Sequence, residues 1–196
     1  MHLENQPDNL PAEQDSDPLE TRKTMRTLLE IFQTLLLAAV FYFIIDAVVG
    51  REMVQKISME PTLVQGEILM VNKMAYKFDD PQYGDIVTFK YPLDPNLAYV
   101  KRVIGLPGDV VEVTGGQVYV NGQLLYEPYI SAAPEYEGVW EVPQDDLFVL
   151  GDNRNPSADS HVWGFVPKEN LIGKAFLVYW PVNKIRALKT PDIFAH

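Results

Sequence analysis

The stretch Val110-Val111-Glu112-Val113-Thr114-Gly115-Gly116-Gln117-Val118-Tyr119-Val120-Asn121-Gly122-Gln123-Leu124-Leu125 decides the fold class. Thr114-Gly115-Gly116 turns one short strand into the next, and Asn121-Gly122 supplies a second turn with positive φ, so the segment predicts a β-hairpin continued by a third strand. Short runs of the same kind stand on both sides: Ile68–Val71, Asp85–Tyr91, Tyr99–Ile104, Leu147–Leu150 and Lys174–Trp180. Rich in Val, Ile, Phe and Tyr and punctuated by Gly, Pro, Asn or Asp, they predict an antiparallel, mainly β domain over residues 50–196. No repeat period is apparent.

Upstream the pattern is different. Leu28 to Val49 is almost wholly apolar, interrupted by Glu30, Gln33, Thr34 and Asp46. At about 1.5 Å per residue such a helix matches a hydrocarbon core of roughly 30 Å, so residues 27–49 predict a single transmembrane anchor. A buried core helix is the alternative; Glu30 and Asp46 lie near the ends, where both can reach an interface. Arg22, Lys23 and Arg26 precede the span and place the N-terminus in the cytoplasm and the β domain across the membrane. Residues 1–26 form the remaining segment. Its first 20 residues hold six acidic side chains and no Lys or Arg, the composition of a disordered tail.

The net charge of −11 and the pI near 4.6 argue against nucleic acid, whose phosphates need clustered Lys and Arg. Without cysteine there is no disulfide, thiolate nucleophile or Cys-type zinc site. No His/Asp/Glu cluster has ligand spacing, so neither a metal nor an organic cofactor is implied.

Three stretches can carry chemistry. Ser58-Met59-Glu60-Pro61-Thr62-Leu63 follows the anchor closely; alone, Ser58 is a loop hydroxyl. In Tyr99–Ile104 strand alternation places Tyr99, Lys101 and Val103 on one face and Val100, Arg102 and Ile104 on the other. An ammonium among apolar neighbours loses hydration and its pKa falls, which lets a neutral amine act as a base; an exposed strand lysine is the plainer alternative. Gly151-Asp152-Asn153-Arg154-Asn155-Pro156-Ser157-Ala158-Asp159-Ser160-His161-Val162-Trp163-Gly164 is dense in side chains that bond nearby backbone.

In this order, together with Gly84–Phe89, these stretches resemble the type I signal peptidases, which carry S-M-x-P-T-L, G-D-I-V-x-F, K-R-V-x-G-x-P-G-D and G-D-N-R-x-x-S-x-D-S-x-x-W-G after an N-terminal anchor. The resemblance implies a serine endopeptidase that cleaves after small residues of the Ala-x-Ala kind, with Ser58 as nucleophile, Lys101 as general base and Ser157 as the hydroxyl that orients the amine. It makes Arg102, Asp152 and Asp159 supporting residues, with an Arg102–Asp152 pair, and Met59, Leu63, Tyr99 and Val100 the lining of the pocket for the residue before the cut. The implied partners are preprotein signal peptides and the lipid bilayer, with the secretion translocon nearby, and the implied compartment is periplasmic or thylakoid-lumenal. Two departures stand out. Lys56-Ile57 replaces a Ser-Gly or similar small pair and with it one oxyanion donor. His161 replaces an Arg of many bacterial members, as in cyanobacterial and plastid thylakoid enzymes, and offers an alternative base. Two rivals are a self-cleaving repressor-type Ser-Lys protease, which has no use for the anchor, and a catalytically silent, membrane-tethered peptide-binding module.

Overall fold

The computed structural model describes residues 18–194. The acidic segment ahead of Pro18 lies outside the described residues. Contacts divide the chain into Met1–Ile44 and Ile45–His196. The first unit is dominated by helix α1 (Pro18–Val48), within which Met25–Val48 has a mean hydropathy of 2.2. Among the described residues α1 is the helix long and apolar enough to cross a membrane, which fits a membrane-anchored protein. The helix begins ahead of the span expected at 27–49, because Leu, Glu, Thr and Arg extend a nucleated helix at little cost. It also ends one residue early: Val49 opens strand β1 (Val49–Met53) and pairs with Asn72.

The second unit holds two antiparallel sheets. The larger contains β1, β2 (Ile68–Asn72), β3 (Ile86–Tyr91), β4 (Asp94–Gly105), β9 (Asp146–Leu150), β10 (Val166–Pro167) and β11 (Leu171–Trp180), in the order β1-β2-β11-β3-β4-β9-β10, with β12 (Arg186–Ala187) also paired to β11. The smaller has the order β7-β6-β5-β8 and contains β5 (Val110–Thr114), β6 (Gln117–Val120), β7 (Gln123–Leu124) and β8 (Gly138–Glu141). Asn121 and Gly122 take φ of 52° and 79°, the left-handed pair that the hairpin requires. The fold is therefore mainly β with one N-terminal apolar helix.

The pleat sorts each strand's side chains between separate cores. On β9, Leu147 and Val149 join Val87, Phe89, Val103 and Val166, whereas Phe148 and Leu150 meet Ile104 and the smaller sheet's Val111, Val113, Val118 and Val120. A further core unites Met59 and Leu63 with Leu69, Val71, Ile86, Ala175 and Val178. Apolar cores on both faces fix the register of β4, since a one-residue slip would exchange Lys101 and Arg102 between environments.

Candidate active site

Strand β4 positions two cations back to back. Lys101 lies opposite Val87 on β3, and Arg102 lies opposite Ile86 on β3 and Leu150 on β9. On one face the Lys101 side chain is 3% exposed, and its Nζ donates to Ser157 Oγ at 2.7 Å. Among the described residues no carboxylate pairs with it. Burial is the main cause that drives the amine down to a pKa of about 8; the Lys56 ammonium pushes the same way, and Asp159 and Asp152 oppose it.

On the other face Arg102 is held by a two-pronged ion pair with Asp152, Nε to Oδ1 at 2.8 Å and Nη2 to Oδ2 at 2.7 Å. Its Nη1 donates to Gly84 O at 2.8 Å, and its guanidinium lies 4.0 Å from the centre of the Tyr129 ring. The pair ties β4 to the loop after β9. Because both partners are buried, removing the carboxylate strands a charge. Asp152→Ala is expected to cost about 3–5 kcal/mol in urea or thermal unfolding; a loss under about 1 kcal/mol would show the pair to be dispensable.

That loop also reaches the short turn that carries Ser58. Asn153 N donates to Ser58 O at 3.0 Å and Asn153 Nδ2 to Ile57 O at 3.1 Å. Between the two serines stands Gly151, where a Cβ would come within 2.2 Å of Ser157 Oγ and 2.3 Å of Ser58 O. The structure thus brings Ser58, Lys101 and Ser157 to one place, although among the described residues Ser58 Oγ has no hydrogen bond to Lys101; such bonds are commonly long before a substrate binds. Asp159 is fully buried. It accepts from Gly151 N at 2.9 Å and from His161 Nδ1 at 2.5 Å, so His161 faces Asp159. The imidazole also stacks on Tyr136, ring centres 3.7 Å apart, and makes no hydrogen bond to Ser58.

Of the residues expected to line a pocket, Met59 and Leu63 are buried core side chains, with Val100 packed against the same cluster. Tyr99 lies on the opposite face of β4, stacked on Tyr91 at 4.5 Å between ring centres. Residues beyond those expected also hold the site. Arg154 pairs with Glu127 and donates through Nε to Gly151 O at 3.1 Å. Arg186 donates to Glu67 at 2.8 and 2.6 Å and to Thr62 O at 2.7 Å, while Glu67 accepts from Val64 N at 3.0 Å. Asn153 and Gly151 stood within the polar stretch and could have been singled out there. Glu67 and Arg186, 119 residues apart, carry no local signal.

Residues 25–180 match the family described as signal peptidase, peptidase S26. The chain is 48% identical over 146 residues to Signal peptidase I of Leptolyngbya laminosa, covering 70% of this chain and 71% of that protein. It is 46% identical over 170 residues to the Probable signal peptidase I-2 of Synechocystis sp., covering 83% and 78%. To the Arabidopsis thaliana Thylakoidal processing peptidase 1, chloroplastic, it is 40% identical over 139 residues, covering 65% and 41%. A family match over most of the chain, two relatives well above 40% identity and a buried-lysine site in a β domain lead to one conclusion: the chain belongs to the signal peptidase family, peptidase S26, and is a type I hydrolase of it.

Proposed function

We propose that this chain is a membrane-anchored serine endopeptidase that removes signal peptides from preproteins, with Ser58 as nucleophile and Lys101 as general base. The family supplies the substrate class. The observation that supports the residue roles is the Lys101 amine, desolvated, without a carboxylate partner and held by Ser157 beside the Ser58 turn. With its pKa lowered to about 8, a useful fraction is neutral near physiological pH and can take the Ser58 proton as Oγ adds to the scissile carbonyl. The resulting ammonium returns that proton to the departing amide nitrogen. Water, deprotonated by the same amine, then releases the acyl group from Ser58. Ser157 is a positioning residue, fixing the rotamer of an otherwise flexible side chain, and Arg102, Asp152 and Asp159 hold the loop that carries it.

Strand β4 offers the substrate an edge. Its pairing with β9 begins at Arg102, whereas Ala98 to Lys101 are bonded to β3 alone, so an extended peptide can add there with main-chain hydrogen bonds. Beside that edge Val100, Met59 and Leu63 form a filled apolar floor, which leaves room for a small side chain before the cut. The basic flank Arg22, Lys23 and Arg26 supports a cytoplasmic N-terminus and a periplasmic or thylakoid-lumenal peptidase domain.

Purified full-length protein in detergent is expected to cut a preprotein with Ala before the cleavage site. Replacing that Ala by Phe should lower cleavage by at least about tenfold, because overpacking a filled site costs about 1–3 kcal/mol. Ser58→Ala should leave no product. Product from Ser58→Ala would remove the nucleophile assignment, and equal cleavage of Ala and Phe substrates the pocket.

A further inference from the structure

Lys56 stands two residues ahead of Ser58. Among the described residues no carboxylate pairs with its ammonium. It is held instead on an aromatic side chain: Nζ donates to Tyr99 OH at 3.2 Å and lies 4.6 Å from the centre of the Tyr99 ring. The backbone of Lys56 is extended, φ −126° and ψ 160°, just before the turn Ile57–Met59 that presents Ser58. Tyr99 and Lys101 are two apart on β4, which puts them on one face with Cα atoms about 6–7 Å apart. The ammonium is therefore tethered beside both proposed reacting groups, two residues from Ser58 along the chain and on the Lys101 side of the sheet.

We propose that Lys56 is a catalytic residue whose ammonium donates a hydrogen bond to the oxyanion formed when Ser58 Oγ adds to the scissile carbonyl. The inference rests on the Ser58/Lys101 assignment above. In the addition step the Oγ–C bond forms, the Oγ proton passes to Lys101 Nζ, and the carbonyl π pair moves onto oxygen; Lys56 transfers no proton. Before the attack the neighbouring ammonium disfavours a second positive charge on Lys101, which keeps the base able to accept. Once the oxyanion exists, two ammonium groups flank one negative charge and the same repulsion is relieved. The charge is thus complementary to the intermediate and not to the resting site, the condition for an interaction to accelerate the chemical step. Tyr99 gives the exposed Lys56 side chain a partner beside the site, which favours rotamers that keep the ammonium there.

The test compares Lys56→Met, Lys56→Arg and Ser58→Ala in the full-length protein in detergent, cutting the same preprotein over a range of pH. Lys56→Met is expected to lower kcat by about 10²-fold, the usual effect of losing one oxyanion donor, with KM little changed. The rising limb of its pH–rate profile should also move to higher pH, because Lys101 loses a like-charged neighbour. Lys56→Arg should recover most of the loss, since a cation and donor remain. Wild-type kcat in Lys56→Met while Ser58→Ala is inactive would overturn this proposal alone. So would an equal loss in the Met and Arg variants with an unmoved pH limb, which would make Lys56 a packing partner of Tyr99. Turnover by Ser58→Ala would instead overturn the nucleophile on which the proposal rests.

Discussion

Lys101→Arg is expected to be nearly inactive against a preprotein while keeping a positive charge at the same point of β4. Guanidinium cannot be deprotonated in a protein, so it cannot accept the Ser58 proton however well it fits. Lys101→Met should be equally inactive, and the two variants should differ in stability. The folded-state pKa of Lys101 lies below the ordinary lysine value, so between about 8 and 10.5 the unfolded chain binds more protons than the native one. Native stability therefore rises with pH across that window, and below it the protein bears the cost of a buried ammonium. Methionine removes this cost and keeps the volume, so Lys101→Met should melt at higher temperature than wild type at pH 7, by a margin on the order of 1 kcal/mol or more. Ser157→Ala should fall between these variants and wild type in turnover, because the amine remains but loses its acceptor at 2.7 Å. A lower melting temperature for Lys101→Met would indicate that the lysine is stabilising and not poised as a base.

Gly151→Ala is expected to produce the second large effect, through geometry alone. The added methyl would meet Ser157 Oγ at 2.2 Å and Ser58 O at 2.3 Å. A hydroxyl can rotate away. The Ser58 carbonyl belongs to the backbone, so the turn bearing Ser58 and the loop bearing Ser157 must separate, and displacements of about 1 Å can cost about 10²-fold in rate. One methyl group that takes no part in the chemistry should thus lower kcat by that factor or more, with near-ultraviolet circular dichroism reporting whether the cores persist. Near-wild-type turnover would mean that the close approach of Ser58, Gly151 and Ser157 is not needed for activity.

Strand existence was legible wherever a β-rich run met turn residues, and Gln117–Val120 emerges with its predicted bounds. Pairing was not legible. Strand β11 lies between β2 and β3, an arrangement set by the cores that cover both faces of the sheet and not by any feature of Lys174–Trp180 itself. Strand β1 was not legible, because Val49 serves a helix end or a strand start equally well by composition and Gly50-Arg51-Glu52 carries no β-rich pattern. The segment after Trp180 reads as a short tail, yet Ile193 is buried with the smaller sheet and Thr190 donates to Asp85 at 2.8 Å. The catalytic assignments came from ordered motifs and not from spacing: Lys101 and Ser157 are 56 residues apart, and no periodicity joins them. What the structure adds is the physical setting of Lys101, one face of β4 carrying a desolvated amine while the other neutralises Arg102 with Asp152.

The most direct test of Lys101 as the base is the pH dependence of kcat/KM for wild type and His161→Ala on one preprotein. The account predicts a rate that rises with pH through a single apparent pKa near 8, with the same limb retained in His161→Ala, since that imidazole faces Asp159 and Tyr136. A limb that disappears in His161→Ala with the fold intact, or appreciable turnover by Lys101→Arg at any pH, would contradict it and move the base to His161.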